Sequence, residues 1–323
     1  MDDSVILVGI DEAGYGPLVG PLVISATAFD VPREMIDRSL WTILRSSVTK
    51  SPTARGSRLV IVDSKKLHKP DEGIGRIERT ALATVGAWRG LPPTLRAMLG
   101  MIAPQMLEHV SEYPWYRDAD PALPLAADLN RIRISSKLLQ QNAEAQGIRL
   151  AGYWSEVLLE GHFNRLVGNT NNKAVVLLGL TLRLMQRISD AYPGKELRFL
   201  IDKQGARDQY GPRLLTAFEQ RTLKVVAEGH EYSEYELVDS QTRWNVSFTM
   251  ECEDRHLPTA LASILSKYLR EALMNCVNNY WRGHIPDLAP TAGYYGDGQR
   301  FVRAIEPHAQ RLGIARNIFV RER

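Results

Sequence analysis

Residues 5–29, VILVGIDEAGYGPLVGPLVISATAF, constrain the fold more than any other stretch. The apolar run 5–10 reads as a strand buried on both faces, and 19–29 as a second strand. Between them, Asp11 and Glu12 stand side by side at the strand end, before a Gly-Tyr-Gly-Pro loop. Like charges crowded at the end of a buried strand raise each other's pKa unless a cation lies among them. The pair therefore points to a site rather than to a simple turn.

The remaining pattern alternates strands and helices. Residues 58–62 (RLVIV) read as a third strand ending in Asp63-Ser64-Lys65-Lys66-Leu67, LRFLID as a strand ending at Asp202, and 223–229 and 244–254 as two more. Val176, Leu180, Leu184 and Ile188 recur every four residues over 172–190, the stripe of a core-packed helix. Another helix opens at Pro258 and covers 259–277, where a first-turn proline loses no hydrogen bond. From about 72 to 160, proline pairs and short helical patterns without a strong strand predict a helical, loop-rich insertion. The order is that of a mixed α/β chain without internal repeats. A catalytic domain over 1–277, carrying this insertion, and a basic C-terminal substrate-binding segment over 278–323 are expected.

Composition narrows the setting. The formal charge of +3 is too small to mark a nucleic-acid binder. Yet Arg300, Arg303, Arg311, Arg316, Arg321 and Arg323 face only Glu306 and Glu322 at the C-terminal end, which reads as a basic tail or a solvated helix face. Cys252 and Cys276 have neither zinc spacing nor the number of a disulfide framework, so free thiols in a reducing cytoplasm are expected. The acidic start MDDSVILV and the lack of a long apolar run predict neither a signal peptide nor a membrane span.

Two further acids belong with the first pair. Asp202 closes a strand, and Glu271 shares a helix face with Ser263 and Lys267, each four residues apart. Alone, Asp202 would be a turn or cap residue and Glu271 a surface residue. Together with Asp11 and Glu12 they form an oxygen-only donor set, which favours Mg²⁺ or Mn²⁺ over zinc. Two such ions can clamp the attacking and leaving oxygens of a phosphodiester. His230, His256, His284 and His308 lack ligand or triad spacing. The glycines around Tyr15 precede a strand rather than a helix, which excludes a dinucleotide loop.

These segments resemble the ribonuclease HII (type 2 ribonuclease H) family. GIDEAGYGPLVGPLV (9–23) is similar to its opening Asp-Glu-Ala-Gly-Arg-Gly-Pro motif, and DSKKL (63–67) matches a second signature. LASILSKYLREALM (261–274) resembles its AASILAKVTRDRLM helix, and GYYGDG (293–298) its terminal Gly-Tyr segment. The resemblance covers roughly 5–70 and 161–300. It implies a mixed five-stranded sheet flanked by helices, with a helical C-terminal part. It also implies metal-binding catalytic acids at Asp11, Glu12, Asp202 and Glu271. Substrate contacts would come from Gly14, Tyr15, Gly16, Ser64, Lys65 and Lys66, with Lys66 near a phosphate and Tyr294 stacked on the sugar beside the scissile bond. Three positions depart from the pattern: Glu271 replaces an aspartate, Lys203 a glycine, and Tyr15 the arginine of the Gly-Arg-Gly loop.

The expected activity is metal-dependent endonucleolytic hydrolysis of the RNA strand of an RNA/DNA hybrid, or at a ribonucleotide embedded in duplex DNA, with two Mg²⁺ or Mn²⁺ ions. Two alternatives stand beside it: a non-catalytic nucleic-acid-binding protein of the same fold, and a related nuclease acting on structured DNA.

Overall fold

A computed structural model describes residues 4–68, 72–205 and 207–322. Residues 1–3, which include Asp2 and Asp3 of the acidic start, and Arg323 of the basic tail lie outside them. The apolar run at the start forms β1 (Ser4–Ala13) and is buried on both faces as expected. Its side chains alternate. Leu7 joins one core, while Ile6, Val8 and Ile10 join the other.

The strands are β1, β2 (Leu22–Pro32), β3 (Val48–Thr49), β4 (Leu59–Val60), β5 (Arg149–Leu158), β6 (Glu196–Asp202), β7 (Thr222–Glu228), β8 (Tyr232–Val238) and β9 (Arg243–Thr249). Seven of them make one sheet in the order β5-β2-β1-β6-β9-β8-β7. β1, β6 and β9 are parallel neighbours, and the other pairings are antiparallel. The sheet is therefore mixed, as expected, but has seven strands rather than five.

Two of the extra strands escape a reading by pattern. β5 closes the stretch 72–160 and pairs with β2 at the sheet edge, so that stretch is not free of strand. β8 carries Ser233, Tyr235 and Leu237 inward between charged residues, a short alternation hidden among acids. Conversely, the run 58–62 contributes only β4, which pairs with β3 in a separate two-stranded sheet.

Helices cover both faces. The helix Lys173–Ala191 packs Leu180, Leu184 and Ile188 against Val8, Phe199 and Ile201. On the other face lies the 28-residue helix Leu257–His284, longer than its apolar stripe predicts and running through position 278. The helices Gly75–Arg89 and Leu129–Ala145 share its core through Ile77, Leu82, Ile132 and Leu139. Glu78 fastens this region. Fully buried, it accepts the N–H groups of Leu125, Ala126 and Ala127 at 2.6–2.7 Å and the hydroxyl of Tyr268 at 3.0 Å.

Gly9 decides how closely the long helix approaches. A Cβ there would collide with the backbone of Pro258 and Thr259. The crossing is pinned by Thr27 Oγ1 donating to Pro258 O (2.7 Å) and Thr259 Oγ1 donating to Leu200 O (3.0 Å). The start of the helix is thereby held over the ends of β1 and β6. Among the described residues, no helix is long and apolar enough to cross a membrane.

Candidate active site

Register brings the first acids together. Ile10 pairs with Ile201 across the parallel strands β1 and β6, so Asp11 and Asp202 follow as neighbours at the carboxyl ends. Adjacent strands lie about 4.8 Å apart. Asp11 points to the long-helix face with Leu7, and Asp202 with Leu200, by alternation along each strand.

Beyond β9 the chain turns through Glu251 at φ +54° into a short helix, Cys252–Arg255. Asp202 Oδ1 accepts the N–H of Cys252 at 3.0 Å. This turn returns Glu253 to the strand ends, where it is buried, and its Oε2 has no hydrogen-bond partner. From the long helix, Ser266 Oγ donates to Asp11 O and Ser263 Oγ to Ser64 Oγ, both at 3.0 Å.

The four acids act on one another. Burial, then the charges of Glu12 and Asp202, hold Asp11 well above the usual carboxylate range. Glu12 is pushed up to about 8 by burial and by Asp202 and Glu253, with Lys65 opposing. Glu253 rises to about 7 through burial and Asp202. Asp202 also rises by burial, against the bonding from Cys252 N–H. Lys65 is the cation that faces them. Burial works to lower its pKa, but Asp63, Glu253, Asp11 and Asp202 outweigh it and the net shift is upward.

Other expected site residues take different places. Glu271 is absent from the cluster: it pairs with Lys267 at 2.7 Å and lies 3.6 Å from Arg270 Nη1. Ser263 is the helix residue that bonds the Asp11 carboxyl, with Ser266 on its backbone carbonyl, and Glu271 lies eight residues beyond Ser263, roughly 12 Å at the helical rise. Lys66 is tied to Asp254 at 2.6 Å and also feels the charge of Glu253, while Lys65 feels Glu253, Asp11 and Asp202. Asp63 caps the short helix Ser64–Leu67 by accepting the N–H of Lys65 at 3.0 Å.

The loop after β1 begins with Gly14 at φ +88°, a conformation that favours glycine, while Gly16 is exposed. Lys173 Nζ sits 4.8 Å from the centre of the Tyr15 ring. The Tyr15 hydroxyl is raised by burial and by the charge of Glu12. Leu18 N–H and Val19 N–H donate to Gly293 O at 2.8 and 3.2 Å, which sets the half-exposed Tyr294 beside this loop. Tyr15 thus lies within the field of Glu12, while Tyr294 stands beside the Leu18–Val19 end of the loop.

No family model and no curated protein matches the sequence. Solved structures do. A structure of the PCNA:RNase HII complex from Archaeoglobus fulgidus aligns at TM-score 0.47 and 15% identity, covering 99% of this chain and 95% of that one. The chain is similar in fold to ribonucleases HII, HIII and H2. Bst-RNase HIII in complex with Mn²⁺ aligns at TM-score 0.41 and 17% identity, over 93% of this chain and 63% of that one. Ribonuclease H2 from Pyrococcus horikoshii OT3 aligns at TM-score 0.36 and 13% identity, over 98% and 92%.

Whether the site suits a divalent metal can be judged from its donors. All four acids offer hard oxygen ligands, and the buried, unpartnered Oε2 of Glu253 is an acceptor still to be satisfied. Among the described residues, no group of three or more ligating side chains is already drawn in to coordination spacing. The donor chemistry fits Mg²⁺ or Mn²⁺. Sequence reasoning missed Glu253 because it lies in the acidic run 251–254 before a helix. Acids at that place are ordinarily explained by the helix dipole.

Proposed function

We propose that this chain is a metal-dependent nuclease of the type 2 ribonuclease H kind, acting on RNA/DNA hybrids or on ribonucleotides embedded in duplex DNA. The observation that carries this reading is the convergence of Asp11, Glu12, Asp202 and Glu253 at the carboxyl ends of β1 and β6, each with its carboxyl pKa pushed upward. Such crowding disfavours four negative charges and favours a bound cation.

These four residues would hold Mg²⁺ or Mn²⁺. Bound there, divalent ions lower the pKa of water and offset the charge that develops on a phosphodiester. The protein's own groups orient the strand. Lys65 supplies a positive charge against phosphate oxygens at the rim of the acids. Backbone groups of Gly14 and Gly16 would read a 2′-hydroxyl, the group that separates RNA from DNA. Tyr294, half exposed beside this loop, offers a ring for stacking on a sugar. Glu271, neutralised by Lys267 and Arg270, has no part in this proposal.

In the basic tail, Arg300 is paired with Asp297 and Arg316 with Glu306, and Arg321 is buried, while Arg303 and Arg311 stay exposed to meet phosphate. The test is incubation of folded protein with Mg²⁺ or Mn²⁺ and a DNA duplex bearing one ribonucleotide, beside an RNA/DNA hybrid and an all-DNA duplex. Cleavage at the ribonucleotide, leaving a 5′-phosphate and lost in EDTA, supports the reading. No cleavage with either metal, or equal cleavage of the all-DNA duplex, overturns it.

A further inference from the structure

Behind the loop that follows Asp11 and Glu12 lies a group of charged side chains withdrawn from water. Glu160 and Arg270 are 0% exposed and Arg321 is 3% exposed. All three are turned on the loop. Arg321 donates from Nη1 to Gly14 O and from Nη2 to Tyr15 O (3.0 Å), and its backbone N–H donates to Leu18 O at 2.8 Å. Arg270 Nη2 donates to Val19 O at 3.2 Å and to Ala292 O at 2.8 Å. Glu160 Oε1 accepts the N–H of Gly20 at 2.9 Å.

Burying a guanidinium is costly unless its hydrogens are bonded and its charge is offset. Arg321 meets this in part, by lying over the Phe163 ring at 4.0 Å, near the carboxylate of Glu160, with two loop carbonyls as acceptors, while its Nε stays without a partner and burial and the Arg270 charge lower its pKa to about 10. The segment that carries it is fastened separately. Asn164 Nδ2 donates to Asn317 O and Val320 O, both at 2.8 Å, and Asn164 Oδ1 accepts Glu322 N–H at 2.7 Å. A residue 306 positions away in sequence is thus delivered to the carbonyl of Tyr15 by a side-chain clamp on the helix Glu160–Thr170.

We propose that Arg321 is a positioning residue for the active site: from the C-terminal segment it fixes the carbonyls of Gly14 and Tyr15, and so sets where Tyr15 and its partner Lys173 stand to receive the sugar-phosphate of a nucleic-acid strand. Arg321 is too deeply buried to touch the strand itself. Its action on substrate rests on the nuclease reading above, whereas its action on the loop does not. Loss of its two carbonyl bonds frees the peptide planes next to Glu12 without altering any of the four acids, so substrate binding should suffer more than turnover.

The experiment compares the full chain with Arg321→Met, Arg321→Lys and Asn164→Ala. It reads amide hydrogen exchange over residues 14–20 and 5–10, and steady-state cleavage of the ribonucleotide-bearing duplex. Arg321→Met should speed exchange over 14–20 about tenfold, leave 5–10 protected, and raise KM about tenfold while kcat changes less than about threefold. Arg321→Lys should recover part of both effects. Asn164→Ala should give a smaller change of the same sign, and it carries the test should Arg321→Met not fold.

Unchanged exchange over 14–20, or an equal rise over 5–10, overturns the proposal, as does a fall in kcat with KM unmoved. If the wild-type chain cleaves no substrate, the nuclease reading falls on that result alone. Selective exchange over 14–20 then still decides whether Arg321 holds the loop.

Discussion

Asp202 accepts the backbone N–H of Cys252 at 3.0 Å, and this bond fixes the turn that sets Glu253 among the other acids. A strand-end carboxylate thereby recruits a fourth acid from the chain that follows the neighbouring strand. Glu253→Gln should lower metal-dependent cleavage on the order of 100-fold, the scale for removing one preorganised group from a charged transition state. Glu271→Gln should change it by less than about fivefold, because its charge is already spent on Lys267 and Arg270. Rates of the two variants under matched Mn²⁺ check both statements.

The raised carboxyl pKa values give a pH dependence with a definite sign. Glu12 titrates at about 8 and Glu253 at about 7 in the folded chain, against an ordinary value of 4.5. Between 4.5 and 8 the unfolded chain releases these protons first, so folding stability in EDTA should fall as pH rises through that window and level off above it. Mg²⁺ or Mn²⁺ should flatten the fall by binding the ionised form of the folded state. Urea titrations from pH 4.5 to 8.5, with and without metal, test this.

Asp11→Asn should stabilise the protein in EDTA while abolishing cleavage. Burial and the charges of Glu12, Asp202 and Glu253 all oppose ionisation of Asp11, and a neutral amide of the same shape removes that opposition. An increase of Tm that is large at pH 8 and much smaller at pH 4.5 is the expected result; such a trade of stability for function is common at charged sites.

Glu78→Ala should destabilise the fold by about 3 kcal/mol or more, since three backbone N–H groups and the Tyr268 hydroxyl lose a buried acceptor together. Denaturant midpoints measure the loss.

Gly9→Ala should destabilise more severely than a typical surface change, by about 3 kcal/mol or more, because the added methyl meets the backbone of Pro258 and Thr259. Repositioning the long helix would also move Ser263 and Ser266 from Asp11, so cleavage should fall further than stability alone explains.

The sequence by itself determined the frame of this protein: a strand buried on both faces, a charged pair at its end, an amphipathic helix over 172–190, and Asp202 at the end of another strand. These are local patterns of period two or four, and each is visible within a window of a few residues. Tertiary structure alone decided which fourth acid completes the group. Glu271 lies on the same face of the helix as Ser263, but the helical rise carries it about two turns away, whereas Glu253 is folded back by one turn closed through Asp202. It also decided that Lys65 faces Asp11, Asp202 and Glu253 together, that β5 and β8 extend the sheet to seven strands, and that Arg321 reaches the loop beside Glu12. Those outcomes depend on backbone hydrogen bonds and close approaches between residues tens to hundreds of positions apart, which no local periodicity records.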